Sequence, residues 1–254
     1  MCKFWLLSFV MLILLPADLW SQAVTPIPQR DPTAIALITQ SLTAMGIVAS
    51  PAIETLAQGT MTHANGQVEP IKLETIGTDR FRCDLGGGAF SFVSNAGAGF
   101  LIMQGQRQTL RSWVTQYKRP DHLPALSLMS DYQNLNLQVQ YIGLENVNGL
   151  PAHHLRLSMV PTDGTPAQIE DLISEFHVYI DQTSLLVVKT RTFNFSPEAL
   201  QNRSPVDTYF SDYQQQGTSL VPFRLTRYLS GNKDSDIVFT SVSLTANIPD
   251  SDFQ

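Results

Sequence analysis

The sequence predicts a mainly β protein of the α+β class, a single antiparallel sheet accompanied by one N-terminal helix and a short helical insertion. From Thr55 onward, apolar and polar residues alternate with a period of two in short segments. Turn signals such as Asn65-Gly66, Gly86-Gly87-Gly88 and Asn148-Gly149 separate these segments. One apolar face and one wet face per strand are typical of antiparallel sheets.

The first residues have the pattern of a secretory signal peptide. Lys3 precedes an apolar run from Phe4 to Leu15, and the small-residue pattern Ser21-Gln22-Ala23 follows. The run is shorter than the about 20 residues needed to cross a bilayer. Cys2 lies before the run, where it cannot serve as a lipid-anchor site. We therefore expect residues 1–23 to be removed near Ala23, and residues 24–254 to form one exported, soluble domain that is neither lipid-anchored nor membrane-spanning.

The charge pattern predicts no nucleic-acid partner, and the cysteine content predicts no intramolecular disulfide. The formal net charge is −6 and is spread without blocks of like sign. A nucleic-acid partner would favour a basic face, so none is expected. Cys83 is the one cysteine beyond the predicted signal peptide, and an intramolecular disulfide is therefore not expected.

An amphipathic helix is predicted directly after a proline-rich linker. Asp31 is suited to the N-cap, Pro32 to the first helical position, and Gly46 to the stop. Its apolar residues recur on one side at helical spacing. They are Ile35, Ile38, Leu42 and Met45.

Further along the chain, alternation predicts about nine to eleven strands, interrupted in three places. Between Arg111 and Asn134 the alternation lapses, which favours one or two short helices around Pro120 and Pro124. Two polar, proline-containing segments, Pro161 to Gln168 and Ser196 to Pro205, are predicted to be loops.

The predicted strands expose more apolar surface than a folded protein tolerates. Soluble monomers rarely show contiguous apolar patches beyond several hundred Å². The sheet must therefore close on itself as a packed sandwich, or curl around its helices and leave an apolar cavity. Alternation alone does not decide between the two.

Several hairpins resemble those of one protein superfamily. A strand ending in Ser211-Asp212-Tyr213 leads through Gly217 to Val221-Pro222. Upstream, the strand pair joined by Asn148-Gly149 carries Gly143 and His154, Asp181 marks the next turn, and the last strand ends in a tail with Phe253. These features are similar to those of the periplasmic lipoprotein-carrier superfamily, the LolA- and LolB-like proteins, and in particular their outer-membrane lipoprotein-sorting members.

The resemblance implies an open half-barrel, with both helical segments packed on its concave face, that holds acyl chains. The protein would then be a periplasmic, monomeric carrier that binds a lipid or an acylated lipoprotein, with envelope proteins as further partners. The alternative is an envelope sensor or protein-interaction module on the same scaffold. The predicted apolar lining comprises Ile35, Ile38, Leu42, Leu137, Val139, Tyr141, Leu155, Leu157, Met159, Phe176, Val178 and Ile180. Each of these also suits an ordinary core position.

No catalytic signature accompanies these strands, so we expect a binding protein rather than an enzyme, without cofactor or metal. His153 and His154 point to opposite faces of a strand, whereas a zinc site needs three or four converging ligands. A hydrogen-bonded or solvated histidine is the commoner role of such residues. Glu170 and Asp171 are predicted to lie in a loop.

Overall fold

The computed structural model describes residues 27–46, 53–110, 121–162, 165–196 and 199–254. The predicted signal peptide and residues 111–120 of the predicted insertion lie outside these ranges. The helices are α1 (Pro32–Ala44), α2 (Pro124–Gln133) and α3 (Ala167–Ser174), with a 3₁₀ helix at Asp250–Phe253. The strands are β1 (Glu54–His63), β2 (Val68–Ile76), β3 (Arg80–Leu85), β4 (Phe90–Asn95), β5 (Ala98–Met103), β6 (Gln106–Thr109), β7 (Leu137–Val147), β8 (Leu150–Met159), β9 (Phe176–Asp181), β10 (Val187–Ser196), β11 (Ala199–Gln216), β12 (Ser219–Leu229) and β13 (Asn232–Ser243).

All thirteen described strands form one antiparallel, unclosed sheet that curves into an open half-barrel. Its order is β6-β5-β4-β3-β2-β1-β13-β12-β11-β10-β9-β8-β7. Two meanders meet where β1 pairs with β13. Consequently β6 and β7, which are neighbours in the sequence, lie at opposite edges of the sheet. The chain between them contains α2.

Two predictions about local structure were wrong. Within the predicted loop from Ser196 to Pro205, the described residues 199–205 belong to a strand, because β11 begins at Ala199 and pairs with β10 through Asn194 and Ser204. Asp171 and Glu170 lie in α3, not in a loop, and the Asp171 carboxylate accepts a hydrogen bond from Arg156 at 2.6 Å.

The predicted N-terminal helix is confirmed, including its capping. The carboxylate of Asp31 accepts hydrogen bonds from the amides of Thr33 (2.8 Å) and Ala34 (3.1 Å), which satisfies donors that the first helical turn leaves free. Just before the cap, the chain pairs with the edge strand β7. The amide of Val139 donates to the Gln29 carbonyl, and the Asp31 amide donates to the Val139 carbonyl. The start of α1 is therefore tied to one edge of the sheet.

The end of α1 docks on the hairpin between β11 and β12. The amide of Leu220 donates to the Met45 carbonyl at 2.9 Å, and the Ser219 hydroxyl donates to the Gly46 carbonyl at 3.2 Å. Gly46 has φ of +71°, and a Cβ at this residue would lie 2.0 Å from the Thr218 carbonyl oxygen. Only glycine allows both this backbone conformation and this approach.

We expect Gly46→Ala to destabilise the protein strongly, because it adds a backbone clash to the strain of a positive φ. The expected loss is on the order of 3 kcal/mol in the free energy of unfolding, measured by urea denaturation. Gly231→Ala is the matched control, since Gly231 has φ of +81° but no atom lies within 4 Å of the place that an added Cβ would take. That variant should lose about 1 kcal/mol. Equal losses for the two would mean that the contact between α1 and the hairpin contributes nothing.

Both α1 and α2 lie on the concave face, as predicted. Buried side chains of α1 and α2 share one hydrophobic core with inward residues of the sheet. Helix α1 packs against α2 and β7, and α2 packs against β10. The described helices on this face therefore cover mainly the arm of the sheet that runs from β7 to β10.

A chain of charged and aromatic side chains crosses the convex face of that same arm. The His154 ring contacts Glu145 through Nδ1 (2.6 Å) and His177 through Nε2 (2.7 Å), and His177 contacts Glu175 (2.8 Å). Two neutral imidazoles carry two N–H donors, so three hydrogen bonds require one additional proton on the pair. Burial lowers the pKa of His154 despite the opposing effect of Glu145.

Glu175 is the acidic centre of this chain. Burial by itself would raise the pKa of its carboxyl group, but hydrogen bonds from His177 and Arg203 and the charge of Arg156 outweigh burial and lower the pKa to about 2. Arg203 donates to Oε2 at 2.6 Å, and Arg156 donates to Oε1 at 3.3 Å. A buried carboxylate held by two guanidinium groups favours the folded state only while it is ionised.

Stability is therefore expected to fall as the pH drops from about 4.5 towards 2, because in this range the unfolded chain binds a proton on Glu175 that the folded chain rejects. At pH 7, Glu175→Gln should lose on the order of 2–3 kcal/mol, and its stability should vary less with pH in the acidic range. Urea unfolding at pH 7, 4.5 and 3 tests both effects. Asp79→Asn, at an exposed turn, should keep the wild-type pH profile. An unchanged profile for Glu175→Gln would contradict the assignment.

Candidate ligand-binding cavity

A cavity of about 240 Å³ lies on the concave face, between the first strands of the sheet and β10–β12. Its walls are mostly apolar, with a few polar groups. The lining residues are Met61, Ile71, Phe81, Cys83, Leu85, Phe90, Phe92, Asp121, His122, Thr192, Val206, Thr208 and Arg227. The volume exceeds the about 150 Å³ of an apolar cavity that takes up benzene, and it is below the about 300–1,000 Å³ typical of drug-sized ligands.

Strand alternation directs these side chains inward. In the ladders across β2, β3 and β4, Ile71 is opposite Leu85, which is opposite Phe90, so that the three share one face. Further along the same strands, Cys83 is opposite Phe92. Residues directly opposite each other in a sheet place their side chains together. The inner face of this arm is thus a continuous apolar wall.

Aromatic rings form one side of the cavity. The Phe81 and Phe92 ring centroids lie 6.1 Å apart at an interplanar angle of 47°. His122, just before α2, stacks on Phe81 with a centroid distance of 6.1 Å and an angle of 17°. Rigid rings give an apolar ligand a large contact area at a small entropic cost.

A second depression, of about 380 Å³, lies across β1, β2, β3 and β13, but its chemistry differs. Its lining includes Lys72 and Asp84, whose charged atoms lie 3.7 Å apart, together with Gln58 and Thr240. This depression is polar, and the charges of Lys72 and Asp84 are paired with each other. The smaller, apolar cavity is therefore the better candidate site for an apolar ligand.

Cys83 lines the cavity, so the reactivity of its thiol depends on access to the cavity. Its thiol is buried, and burial, assisted by the charge of Asp84 and opposed by that of Arg227, raises its pKa to about 12. A thiol with so high a pKa carries very little reactive thiolate at neutral pH.

In a Cys2→Ser background, where Cys83 is the one thiol, a disulfide reagent such as DTNB at pH 8 should label the folded protein at least about a hundredfold more slowly than the urea-unfolded chain. A saturating single-chain amphiphile should slow labelling further, because it would occupy the space beside the thiol. Equal labelling rates for the folded and unfolded chains would show that the cavity is open to water.

The twelve residues predicted to line a ligand cavity lie elsewhere on the same face. All of them belong to, or pack against, the core shared with α1 and α2, and none is among the residues around the cavity. Leu155, Leu157, Val139 and Ile180 are fully buried, whereas Tyr141 is half-buried and its hydroxyl lies 3.1 Å from Nδ1 of His153. Their role in ligand binding remains a prediction.

The residues around the cavity were not predicted as a group, although the sequence pattern of some of them indicates inward-facing strand positions. Phe81, Cys83 and Leu85 alternate with polar residues, and Phe90 and Phe92 follow the triple-glycine turn with the same period. Pairing of these two strands across that turn would have aligned the apolar residues on one face. The contribution of β10–β12 depends on long-range strand order, which alternation does not reveal.

The fold itself has solved relatives. No family model and no curated protein matches this sequence. A domain described as an outer membrane lipoprotein-sorting protein domain, from Vibrio parahaemolyticus, superposes with a TM-score of 0.58 and 9% identity over 87% of this chain and 96% of that one. A LolA superfamily protein from Nitrosomonas europaea superposes with a TM-score of 0.53 and 10% identity, over 85% of this chain and 97% of that one. A DUF1329 family protein from Desulfovibrio piger superposes with a TM-score of 0.54 and 12% identity, over 89% of this chain and 98% of that one.

The chain has a LolA-like fold. The likeness extends over most of this chain and nearly all of each of the three solved structures. At 9–12% identity it establishes the fold and not the function. Among the described residues of this LolA-like chain, no helix is long and apolar enough to cross a membrane.

Proposed function

We propose that the protein is an exported binding protein that holds an acyl chain on the concave face of its half-barrel, by burial rather than by covalent chemistry. The observation that carries the proposal is the apolar cavity that α1 and α2 leave unfilled. Each methylene group moved from water into such a site contributes about 0.8 kcal/mol. Cavity size favours one hydrocarbon chain over a diacyl lipid.

Two further observations support an envelope role. The N-terminal residues have the composition of a secretory signal peptide, which would deliver the protein to the periplasm as a monomeric carrier. Among solved structures of the same fold is a domain described as a lipoprotein-sorting protein domain. An acylated lipoprotein or a free lipid is accordingly the ligand class that we propose.

The alternative function is a sensor or protein-interaction module in which the half-barrel is only a scaffold. The packing of α1 and α2 against β7–β10 favours this alternative, because protein side chains cover that part of the concave face. Native mass spectrometry of the purified protein separates the two functions. Bound lipid or acylated peptide supports the carrier, and a reproducibly empty cavity supports the scaffold.

Filling the cavity should abolish ligand binding. Thr192→Trp places a large side chain inside the cavity, and we expect at least about a tenfold loss of affinity for a fluorescent fatty-acid analogue, measured by fluorescence titration. Thr60→Trp is the control, because Thr60 is exposed on β1 outside the cavity and should bind like the wild type. Circular dichroism must show that both variants are folded. Equal affinities for the two variants would place the binding site outside this cavity.

A further inference from the structure

Arg227 is the cation of the cavity, and strand alternation explains why it faces inward. On β12, Phe223 and Leu225 are buried in the core of the concave face, and Arg227 follows at the same period of two. Arg224 and Thr226 alternate with them and bind Asp236 instead. A half-buried guanidinium group therefore lies beside the phenylalanine rings of the cavity.

Within the described residues, the guanidinium group of Arg227 has no ion pair and no hydrogen bond. The other described arginines are all engaged. Two of them bind backbone carbonyls or an aromatic face, Arg30 and Arg107. The rest pair with carboxylates, namely Arg80, Arg82, Arg156, Arg191, Arg203 and Arg224. Arg227 thus differs from the other described arginines in lacking a partner.

Two carboxylates whose charges act on the Cys83 thiol together with that of Arg227 are paired with other groups. Glu69 contacts His63 at 2.5 Å, and Asp84 is held by Arg82. Asp121, which also lines the cavity, has an interaction of its own. Partial burial of an unpaired guanidinium group is unfavourable, and an incoming anion would relieve that cost.

The neighbours of Arg227 form a polar row across the sheet. In the ladders, Arg227 is opposite Ser235 on one side and Thr208 on the other, and Thr208 is opposite Thr190. The adjacent inward row is apolar and comprises Met61, Ile237, Leu225 and Phe210. A polar row next to an apolar row suits a ligand with a polar head and a hydrocarbon tail.

On the basis of the proposed function, we propose that the ligand is a single-chain amphiphile with a carboxylate head, and that Arg227 pairs with the head. A guanidinium group can donate two parallel hydrogen bonds to a carboxylate, which an alcohol or an amine cannot accept. Thr208 supplies a further hydroxyl group beside this site, and the walls formed by Phe81, Phe90 and Phe92 receive the tail.

Matched amphiphiles test the assignment. Dodecanoate, dodecanol and dodecylamine are titrated below their micelle concentrations at pH 7.5, by displacement of a fluorescent fatty-acid analogue. Wild-type protein should bind dodecanoate at least tenfold more tightly than dodecanol, and dodecylamine most weakly. Arg227→Gln should weaken dodecanoate about tenfold and leave dodecanol unchanged, whereas Arg227→Lys should keep part of the preference. Arg224→Gln, on the outer face of the same strand, should behave like the wild type.

The possible failures are distinguishable. Equal wild-type affinities for dodecanoate and dodecanol, or an undiminished preference for dodecanoate in Arg227→Gln, would overturn the role of Arg227 and leave the acyl-binding function in place. Binding of none of the three amphiphiles would overturn the proposed function itself. Thermal unfolding of each variant, which should match the wild type within a few degrees, shows that lost binding does not come from lost folding.

Discussion

The structure depends on one constraint, which is that the apolar inner face of a thirteen-stranded open sheet must be kept from water. Barrel closure would remove the problem, but β6 and β7 remain unpaired with each other. Helices α1 and α2 therefore supply the cover. Because they pack on the arm from β7 to β10, they leave space beside β2–β4, and the cavity lies there.

The fold was more predictable than the site, because hairpins and caps are local and the cavity is not. Asn148 and Gly149 both have positive φ, as a two-residue turn between β7 and β8 requires, and Asp31 caps α1 through atoms two and three residues away. The cavity combines residues from β1 to β12. Alternation is clearest in β7–β9, but it indicates burial and cannot distinguish a residue covered by a helix, such as Leu155, from an uncovered one. The predicted lining therefore lies on α1 and β7–β9, whereas the cavity is formed by β1–β4, the residues before α2, and β10–β12.

Charge is distributed differently on the two faces of the sheet. On the convex side, Glu175, Asp207 and Asp236 each hold one or more basic side chains, and these contacts lower the pKa values of the carboxyl groups against the effect of burial. Such ion pairs neutralise charge where the side chains are partly shielded from solvent. On the concave side, Arg227 departs from that rule. Alternation predicts its inward direction, but its lack of a partner depends on where every nearby carboxylate lies, and a charge left unpaired beside apolar walls is more informative about function than a paired charge.

The two helices on the concave face differ in the capping of their first turns. Helix α1 has a side-chain N-cap, strand-like pairing before it, and two hydrogen bonds from the hairpin at its end. Helix α2 has Leu123 at its N-cap and therefore no side-chain cap. A side-chain cap contributes about 1 kcal/mol to the helix that it caps, so α1 has a stabilising contact at its first turn that α2 lacks. The residues that precede α2, Asp121 and His122, form part of the cavity wall, so a ligand in the cavity would lie against the start of the helix that has no side-chain cap.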